Sequence, residues 1–316
     1  MLKRFIVVYV LLMAALFAAW LCFAQQDLAR ATMPMTGAGS TDAAAGYTGS
    51  CTLSTNLQNR MDGSQNQTAV DTAICNLVSD FGLSSTTTTL PPIDALWMFA
   101  TNSTTNANLN WLGSSYTLTQ FGTVTFSAAG GGTGGYYTVT SDAANFGSMQ
   151  TGYNPSTAGG NYALNSASWG VCVFTSRTTT SSDIELGGTD GASHYTYLQP
   201  VLSSGTTYYD INGADSTANI LVGQAQGNWI YSRSAASTVT GYVNNVAHNP
   251  NNTNTSNAIP NVSFDVVGYN SNGSHYGTLD HIGYAMFGGA LSSGQASAVY
   301  TRLHNYFSTV GAPTGC

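Results

Sequence analysis

The sequence predicts an all-β protein whose β region is preceded by one helix and closed by another. From about Leu90 onward, residues alternate with period two in segments such as "DALWMFA", "ASWGVCVFTSR" and "TVTGYVNNVAH", a pattern typical of β-strands. Breaks rich in Gly, Asn and Ser separate these segments, and no helical pattern interrupts them until Ser292. Strands that follow one another without alternating helices indicate an antiparallel sandwich or barrel.

Residues 1–24 have the pattern of a secretory signal peptide. Lys3 and Arg4 give a positive start, an apolar run follows from Phe5 to Ala24, and small residues precede a plausible cleavage site. The run of 20 residues is also long enough to span a bilayer, so a retained N-terminal anchor is the alternative. Either way, the rest of the chain is expected to be secreted, extracellular or at the cell surface.

Residues 25–64 are predicted to form an irregular leader, because small and polar residues dominate them. Residues 65–89 are predicted to form a helix and a linker. Apolar residues from Ala69 to Phe81 fall at helical spacing, and Gly82 is a typical helix stop. The linker "SSTTTTLPP" ends in two prolines, which cannot sit in a central strand. The β-domain is expected to occupy residues 90–316.

The closing helix has clear boundary signals. Ser292 is the predicted N-cap, Gln295 completes a capping box three residues later, and Gly311 is the predicted C-cap. One apolar stripe runs between them, at Ala296, Val299, Tyr300, Leu303, Tyr306 and Phe307. An amphipathic helix must bury such a stripe, so we expect it to pack on the β-domain.

Four cysteines remain once the segment with Cys22 is removed. They are Cys51, Cys75, Cys172 and Cys316. An even number in an exported chain indicates two disulfides. Three pairings are possible and the sequence does not choose among them. Pairing Cys51 with Cys75 would close a local loop, and pairing Cys172 with Cys316 would tie the chain end to a central strand.

Charge argues against nucleic acid and anionic membranes as partners. The formal net charge is −7, and beyond residue 24 five arginines and no lysine face 14 carboxylates. So few cations cannot neutralise a row of phosphates. Membrane contact is expected only through an uncleaved N-terminal segment. Neutral hydroxyls and amides must cover the surface; these groups can bind sugars, and they are also simply typical of a β-sandwich rich in Thr, Asn and Ser.

The segment "GNWIYSRSAASTVTGYVNNVAH" (residues 227–248) resembles the core hairpin of laminin-G-like domains of the concanavalin A superfamily. Asn244–Asn245 stands where that family usually has Asn-Gly, and Asn also tolerates the positive φ of a type I′ turn. The end of the chain resembles the last strand and helix of such domains in bacterial secreted and phage tail proteins. The resemblance covers about residues 94–311. It implies a jelly-roll β-sandwich, in a superfamily that includes lectins, adhesion modules, glycosidases and structural proteins.

Glucanases of that superfamily carry an E-x-D-x-x-E motif, which this chain lacks. Asp183 and Glu185 in "SSDIELGG" alternate by two and are expected on the same side of a strand, but Gly188 stands where the third acid would be. The pair could be reacting acids, calcium ligands or a solvated strand face. The glucanase motif is therefore absent from the sequence.

A calcium site is a second hypothesis. The segment "DINGADS" places Asp210, Asn212 and Asp215 at spacings that resemble a calcium loop, although the terminal bidentate Glu is absent. The alternative is a plain hairpin turn at Asn212–Gly213. The histidines form no HxH or HxxxH pair, and each of them, including His275, is expected to be structural or exposed.

A loop-borne sugar site is a third hypothesis. Tyr153, Asn154, Asn161 and Tyr162 flank "PSTAGG", where exposed rings beside amides could hold a sugar. The alternative is that the tyrosines cap the sandwich edge.

Together these features predict an exported, non-catalytic module for glycan binding, adhesion or surface structure, with no cofactor other than a possible Ca²⁺. A glycan-degrading hydrolase or lyase with a non-standard acid pair is one alternative. A self-assembling extracellular structural protein is the other, with the 25–64 leader adding to a neighbour's sheet edge.

Overall fold

The computed structural model describes residues 49–141, 144–175, 183–202, 206–214, 219–221, 225–248 and 255–316. Within them, two β-sheets form a sandwich and helices cover one of its faces, which confirms the predicted fold class. The predicted signal peptide or anchor (residues 1–24) and the leader up to residue 48 lie outside the described residues. Across the described ranges, no helix is long and apolar enough to cross a membrane.

The described residues contain four helices. They are α1 (Thr52–Gln58), α2 (Gln67–Asp80), α3 (Thr104–Ala107) and α4 (Ser293–Val310). Helix α1 lies in the stretch that the sequence predicts to be irregular, so that prediction is wrong there. No side chain caps α1, but Leu53 and Leu57 are buried and Cys51 links it to α2. Tertiary packing and a cross-link, which no local pattern encodes, stabilise this short helix.

The middle sheet has eight strands and lies between the helices and the second sheet. Its strands are β1 (Ile93–Met98), β3 (Val124–Ser127), β4 (Tyr136–Val139), β6 (Ala167–Val173), β11 (Gly227–Ala235), β12 (Thr238–Val243), β13 (Val246–His248) and β17 (Ile282–Gly288). Their order is β13-β12-β11-β6-β17-β4-β3, and β1 also pairs with β17.

The outer sheet has nine strands. They are β2 (Thr119–Gly122), β5 (Gly147–Gln150), β7 (Leu186–Thr189), β8 (Tyr195–Leu202), β9 (Thr206–Gly213), β10 (Asn219–Leu221), β14 (Asp265–Val266), β15 (Gly268–Ser271) and β16 (Ser274–Gly277). Seven of them follow the order β10-β9-β8-β7-β14-β5-β2, and β15 pairs with both β16 and β7. The β15–β7 pair is parallel, whereas the other described pairs are antiparallel.

Two apolar cores result from this layering. In β17, Ala285 and Phe287 point into the core between the two sheets, whereas Tyr284 and Met286 point into the core beneath the helices. All seven residues of β17 are buried. A strand covered on both faces needs a continuous apolar run, and "IGYAMFG" is one.

Helix α4 forms as the sequence predicts. Ser292 and Gln295 make the capping box, and Gly311 ends the helix with a φ of 69°. The predicted stripe is buried except for Tyr300, which is half-buried. The Phe307 ring meets the ring of Phe174, just beyond β6, at 5.3 Å between centroids. The predicted type I′ turn also forms, because Asn244 and Asn245 have φ values of 49° and 64° between β12 and β13.

Two disulfides join Cys51 to Cys75 and Cys172 to Cys316. The first links α1 to α2, and the second fastens the residues after α4 to β6. Together they make one of the three pairing schemes that the sequence allows. Disulfides of this kind are typical of oxidising compartments.

Replacing Cys172 and Cys316 by alanine is expected to destabilise the protein more than replacing Cys51 and Cys75. The Cys172–Cys316 disulfide spans 144 residues and the Cys51–Cys75 disulfide spans 24. Loop-closure entropy in the unfolded chain then gives losses of about 5 and about 3 kcal/mol respectively. Urea unfolding of the two double variants measures both losses. A larger loss for the Cys51/Cys75 variant would contradict this account.

Candidate functional site

A groove of about 420 Å³ opens on the outer sheet. We call it the outer-sheet groove; its lining residues are Thr117, Thr119, Gln150, Gly152, Ser263, Asp265, Asn270 and His275. Met149 and Val266 point into the core between the sheets, so their neighbours Gln150 and Asp265 point to the opposite face. The groove therefore lies on the face of the outer sheet that is turned away from the middle sheet.

Strand register brings its polar side chains together. Thr119 of β2 pairs with Gln150 of β5, and Gln150 pairs in turn with Asp265 of β14. Directly paired residues of antiparallel strands share a face and lie side by side. One row of three hydrogen-bonding side chains thus crosses three adjacent strands.

A hydrogen-bonded pair, Asp265 and His275, forms one end of the groove. Nδ1 of His275 lies 2.6 Å from Oδ2 of Asp265, and the Ser148 hydroxyl donates to the same oxygen at 2.7 Å. Because that oxygen is an acceptor, Nδ1 carries the proton. Nε2 of His275 lies 3.0 Å from Nε2 of Gln150, which donates to it when the imidazole is neutral.

Burial differs between the two members of this pair. Asp265 is 0% exposed, whereas His275 is 9% exposed and reaches the groove. Burial raises the pKa of Asp265, although the hydrogen bonds from His275 and Ser148 oppose the rise. The hydrogen bond to Asp265 raises the pKa of His275 above its ordinary 6.5, against the effect of burial. Phe121 packs over the imidazole at 4.4 Å between ring centroids.

No sequence pattern indicated this pair. Asp265 drew no hypothesis, and His275 was expected to be structural or exposed. The available signal is the Asn272–Gly273 turn, where φ is 50° and 91° and which pairs Asn270 with His275. That turn predicts the β15–β16 hairpin, but it does not indicate that His275 meets β14.

The predicted sugar-binding loop is held by a carboxylate from β1. A register shift between Ile93 and Ala95 marks a bulge at Asp94. Oδ1 of Asp94 accepts hydrogen bonds from the backbone N and Nδ2 of Asn161, each at 2.7 Å. Oδ2 accepts from the Tyr162 backbone N at 3.0 Å and from the Tyr153 hydroxyl at 2.8 Å. All four bonds tie the loop to the middle sheet.

The predicted tyrosine platform is therefore wrong. Tyr153 is 0% exposed and Tyr162 is 5% exposed, so neither ring face is available for stacking. Burial, and to a lesser degree the charge of Asp94, raises the pKa of Tyr153, which stays protonated and donates. Asn161 is exposed, and Asn154 is half-buried and hydrogen-bonded to Asn261. Ligand binding by these two asparagines stays a prediction.

The predicted calcium ligands have other contacts in the described residues. Oδ1 of Asn212 accepts from the Tyr162 hydroxyl at 2.8 Å, and its Nδ2 donates to two backbone carbonyls. Asp210 is buried close to the charge of Arg233. Asp215 lies outside the described residues. Among the residues that are described, no three acidic, histidine or cysteine side chains are arranged to hold a metal.

The predicted acid pair is buried. Asp183 is 2% exposed and Glu185 is 0% exposed, just before β7, so the solvated-face interpretation is wrong. Burial and the nearby Asp280 raise the pKa of Glu185 well above its ordinary value. This pair does not line the outer-sheet groove.

No protein-family model and no curated protein sequence matches the chain. Among solved structures, it is similar to domain 4 of AbnA, a GH43 extracellular arabinanase from Geobacillus stearothermophilus in complex with arabinotriose. Identity is 17% and the TM-score is 0.47, over 66% of this chain and 98% of that chain.

Two further similarities involve longer chains. The botulinum neurotoxin serotype D binding domain is 10% identical with a TM-score of 0.47, over 67% of this chain and 52% of that one. A mutant Trypanosoma rangeli sialidase displaying trans-sialidase activity is 10% identical with a TM-score of 0.43, over 76% of this chain and 39% of that one. The chain thus spans about half of the toxin domain and less than half of the sialidase. Similarity at this level assigns neither a ligand nor a reaction to this chain.

The Asp94→Asn variant is expected to lose about 2–3 kcal/mol of stability. An amide nitrogen cannot accept the bonds that one carboxylate oxygen accepts, and buried donors are then left unsatisfied. The matched control is Asp80→Asn, which breaks the half-exposed ion pair with Arg302 and should cost at most about 1 kcal/mol. Chemical denaturation measures both, and equal losses would contradict the anchoring role of Asp94.

The Asp265→Asn variant is expected to lower the pKa of His275, measured by NMR titration. The wild-type pair raises that pKa, so its contribution to stability is fully present below the unfolded value of 6.5 and is lost as pH rises through the folded pKa. The variant should lack this decline in unfolding free energy above pH 6.5. Ser148→Ala is the control, because it keeps the pair and should leave the pKa of His275 raised. An unchanged pKa in Asp265→Asn would disprove the coupling.

Proposed function

We propose that the chain is an exported, non-catalytic glycan-binding module whose binding site is the outer-sheet groove. The observation that carries the proposal is the row of Thr119, Gln150 and Asp265 across three strands, closed by His275. Sugar hydroxyls both donate and accept hydrogen bonds. Hydroxyl, amide and imidazole groups fixed on strands therefore complement them at defined positions.

The dimensions of the groove and the Phe121 ring, which packs on His275, also support a small polar ligand. A volume of about 420 Å³ lies within the usual range for small-molecule sites. Phe121 is half-buried at the groove and offers an apolar edge beside the polar row. Sugars present both hydroxyls and apolar C–H faces, so such a mixed surface suits them.

The wider proposal keeps the resemblance to laminin-G-like and concanavalin A-like jelly rolls of bacterial secreted or phage tail proteins. Two disulfides support export, through a signal peptide or a retained anchor at residues 1–24. A glycan or another surface polymer is the proposed partner, and Ca²⁺ is the one cofactor to test.

A binding role is favoured over hydrolysis by the placement of the acids. Glycosidases usually place two carboxyl groups across the scissile bond. Asp265 is the one carboxyl group that lines the groove among the described residues, and it is occupied by His275. The self-assembly alternative gains little support, because the large apolar side chains exposed in the described ranges are Val246, Tyr276 and Leu279.

Gln150→Ala and Thr119→Val are each expected to weaken glycan binding about tenfold, because each removes a hydrogen-bonding group from the groove. The ligand is first identified on a glycan array with the full chain, with and without EDTA. Titration calorimetry then compares the variants with wild type.

The matched control is Gln120→Ala. Gln120 is exposed on the same strand as Thr119 but does not line the groove, so its loss should leave binding unchanged. Failure of the wild-type chain to bind any glycan would refute the proposal, as would equal weakening by the control. Loss of binding in EDTA would support the calcium prediction, and release of shortened sugars would favour the hydrolase.

A further inference from the structure

Few of the side chains that line the outer-sheet groove can carry a charge. Six of its lining residues are neutral, and the two titratable ones, Asp265 and His275, bond to each other. When both are ionised, their charges cancel. When His275 is neutral and Asp265 is ionised, the groove end is negative. In neither state does the lining carry a net positive charge.

The cations of the described chain are placed elsewhere. Arg60 donates to backbone carbonyls beside α1, Arg233 is 0% exposed within the sandwich, and Arg302 on α4 pairs with Asp80. None of these three arginines lines the groove. The described ranges contain no lysine, and Arg177 lies outside them.

Within the described ranges, hydrogen bonds reach only one of the two carboxylate oxygens of Asp265. Its Oδ2 accepts from both Ser148 and His275, whereas its Oδ1 is buried and has no hydrogen-bond donor among the described residues. A buried carboxylate oxygen without a donor makes an anion nearby less favourable, because little solvent screens the two charges.

From this geometry we infer that the outer-sheet groove selects uncharged saccharides and rejects those that would bring a carboxylate or sulfate into it. The inference rests on the proposed glycan-binding function. An acidic group would lose its hydration water on entering and, among the described residues, would meet no cation that is not already paired with a carboxylate, which is costly. The net charge of −7 adds long-range repulsion. Neutral hydroxyls face neither cost, and the threonine, glutamine and asparagine side chains can bond them.

The test compares matched ligands on the full chain at pH 7 and low ionic strength. The probes are short gluco-, galacto- and manno-oligosaccharides, the same sugars with C6 oxidised to a carboxylate, and the corresponding C6 carboxamides. We expect the neutral and carboxamide forms to bind at least about tenfold more tightly than the carboxylate form. The carboxamide separates charge from shape, because only the carboxylate is ionised.

Two variants test whether the preference for uncharged sugars arises from the charge of Asp265. Asp265→Asn keeps an acceptor for Ser148 and His275 but removes the negative charge. It should therefore reduce the difference in affinity between the carboxylate and carboxamide ligands. Thr119→Val should weaken the binding of the neutral, carboxamide and carboxylate ligands alike, so the difference in affinity between carboxylate and carboxamide should stay the same. Circular dichroism and the unfolding midpoint confirm that each variant is folded.

The outcomes separate the two proposals. If a carboxylate form binds as tightly as its carboxamide, or if Asp265→Asn leaves the difference in affinity between them unchanged, the charge inference is wrong while glycan binding by the groove stands. If no neutral or acidic form binds the wild-type chain, or if binding ignores Thr119→Val and Gln150→Ala, the groove is not a glycan site and both proposals fail.

Discussion

Burial of the central strands of the middle sheet on both faces is the constraint on which the rest of the structure depends. All seven residues of β6 and of β17 are buried, because α4 and its neighbours cover one face and the outer sheet covers the other. Strands enclosed in this way have no face open to a ligand. The outer sheet keeps one free face, and the groove lies there. The apolar stripe of α4 thus covers one face of these strands, while the groove on the outer sheet stays accessible.

Asp94 and Asp265 are both hydrogen-bonded carboxylates, but Asp94 holds a loop whereas Asp265 lines the groove. Both oxygens of Asp94 are occupied by four donors, all from one loop, so this carboxylate is fully used in holding that loop. Asp265 has both of its donors on one oxygen, and one donor is a histidine that reaches the groove. Fully satisfied buried groups stabilise a fold, whereas partly satisfied ones are where interaction with other molecules is to be sought.

The helix ends and turns that the sequence predicts correctly are those that depend on a few adjacent residues. The capping box at Ser292, the glycine stop at Gly311 and the positive φ of Asn244 depend on a few adjacent residues, and the sequence contains them all. The sites depend on contacts between distant residues. Asp265 meets Ser148, 117 positions away, and the buried Tyr153 donates a hydrogen bond from its hydroxyl to Asp94, 59 positions away. No periodicity within one segment encodes such meetings.

The carboxyl groups bear on the choice between binding and catalysis. Burial raises the pKa of Glu185, as a general acid would require, and a partner carboxyl group lies beside it at Asp280. However, Glu185 is 0% exposed, so a sugar cannot reach its carboxyl group in this structure. The groove has the opposite combination, since a ligand can reach it but it has a single carboxyl group, already bonded to His275. In the described structure, the buried acid pair and the accessible groove therefore lie in different places.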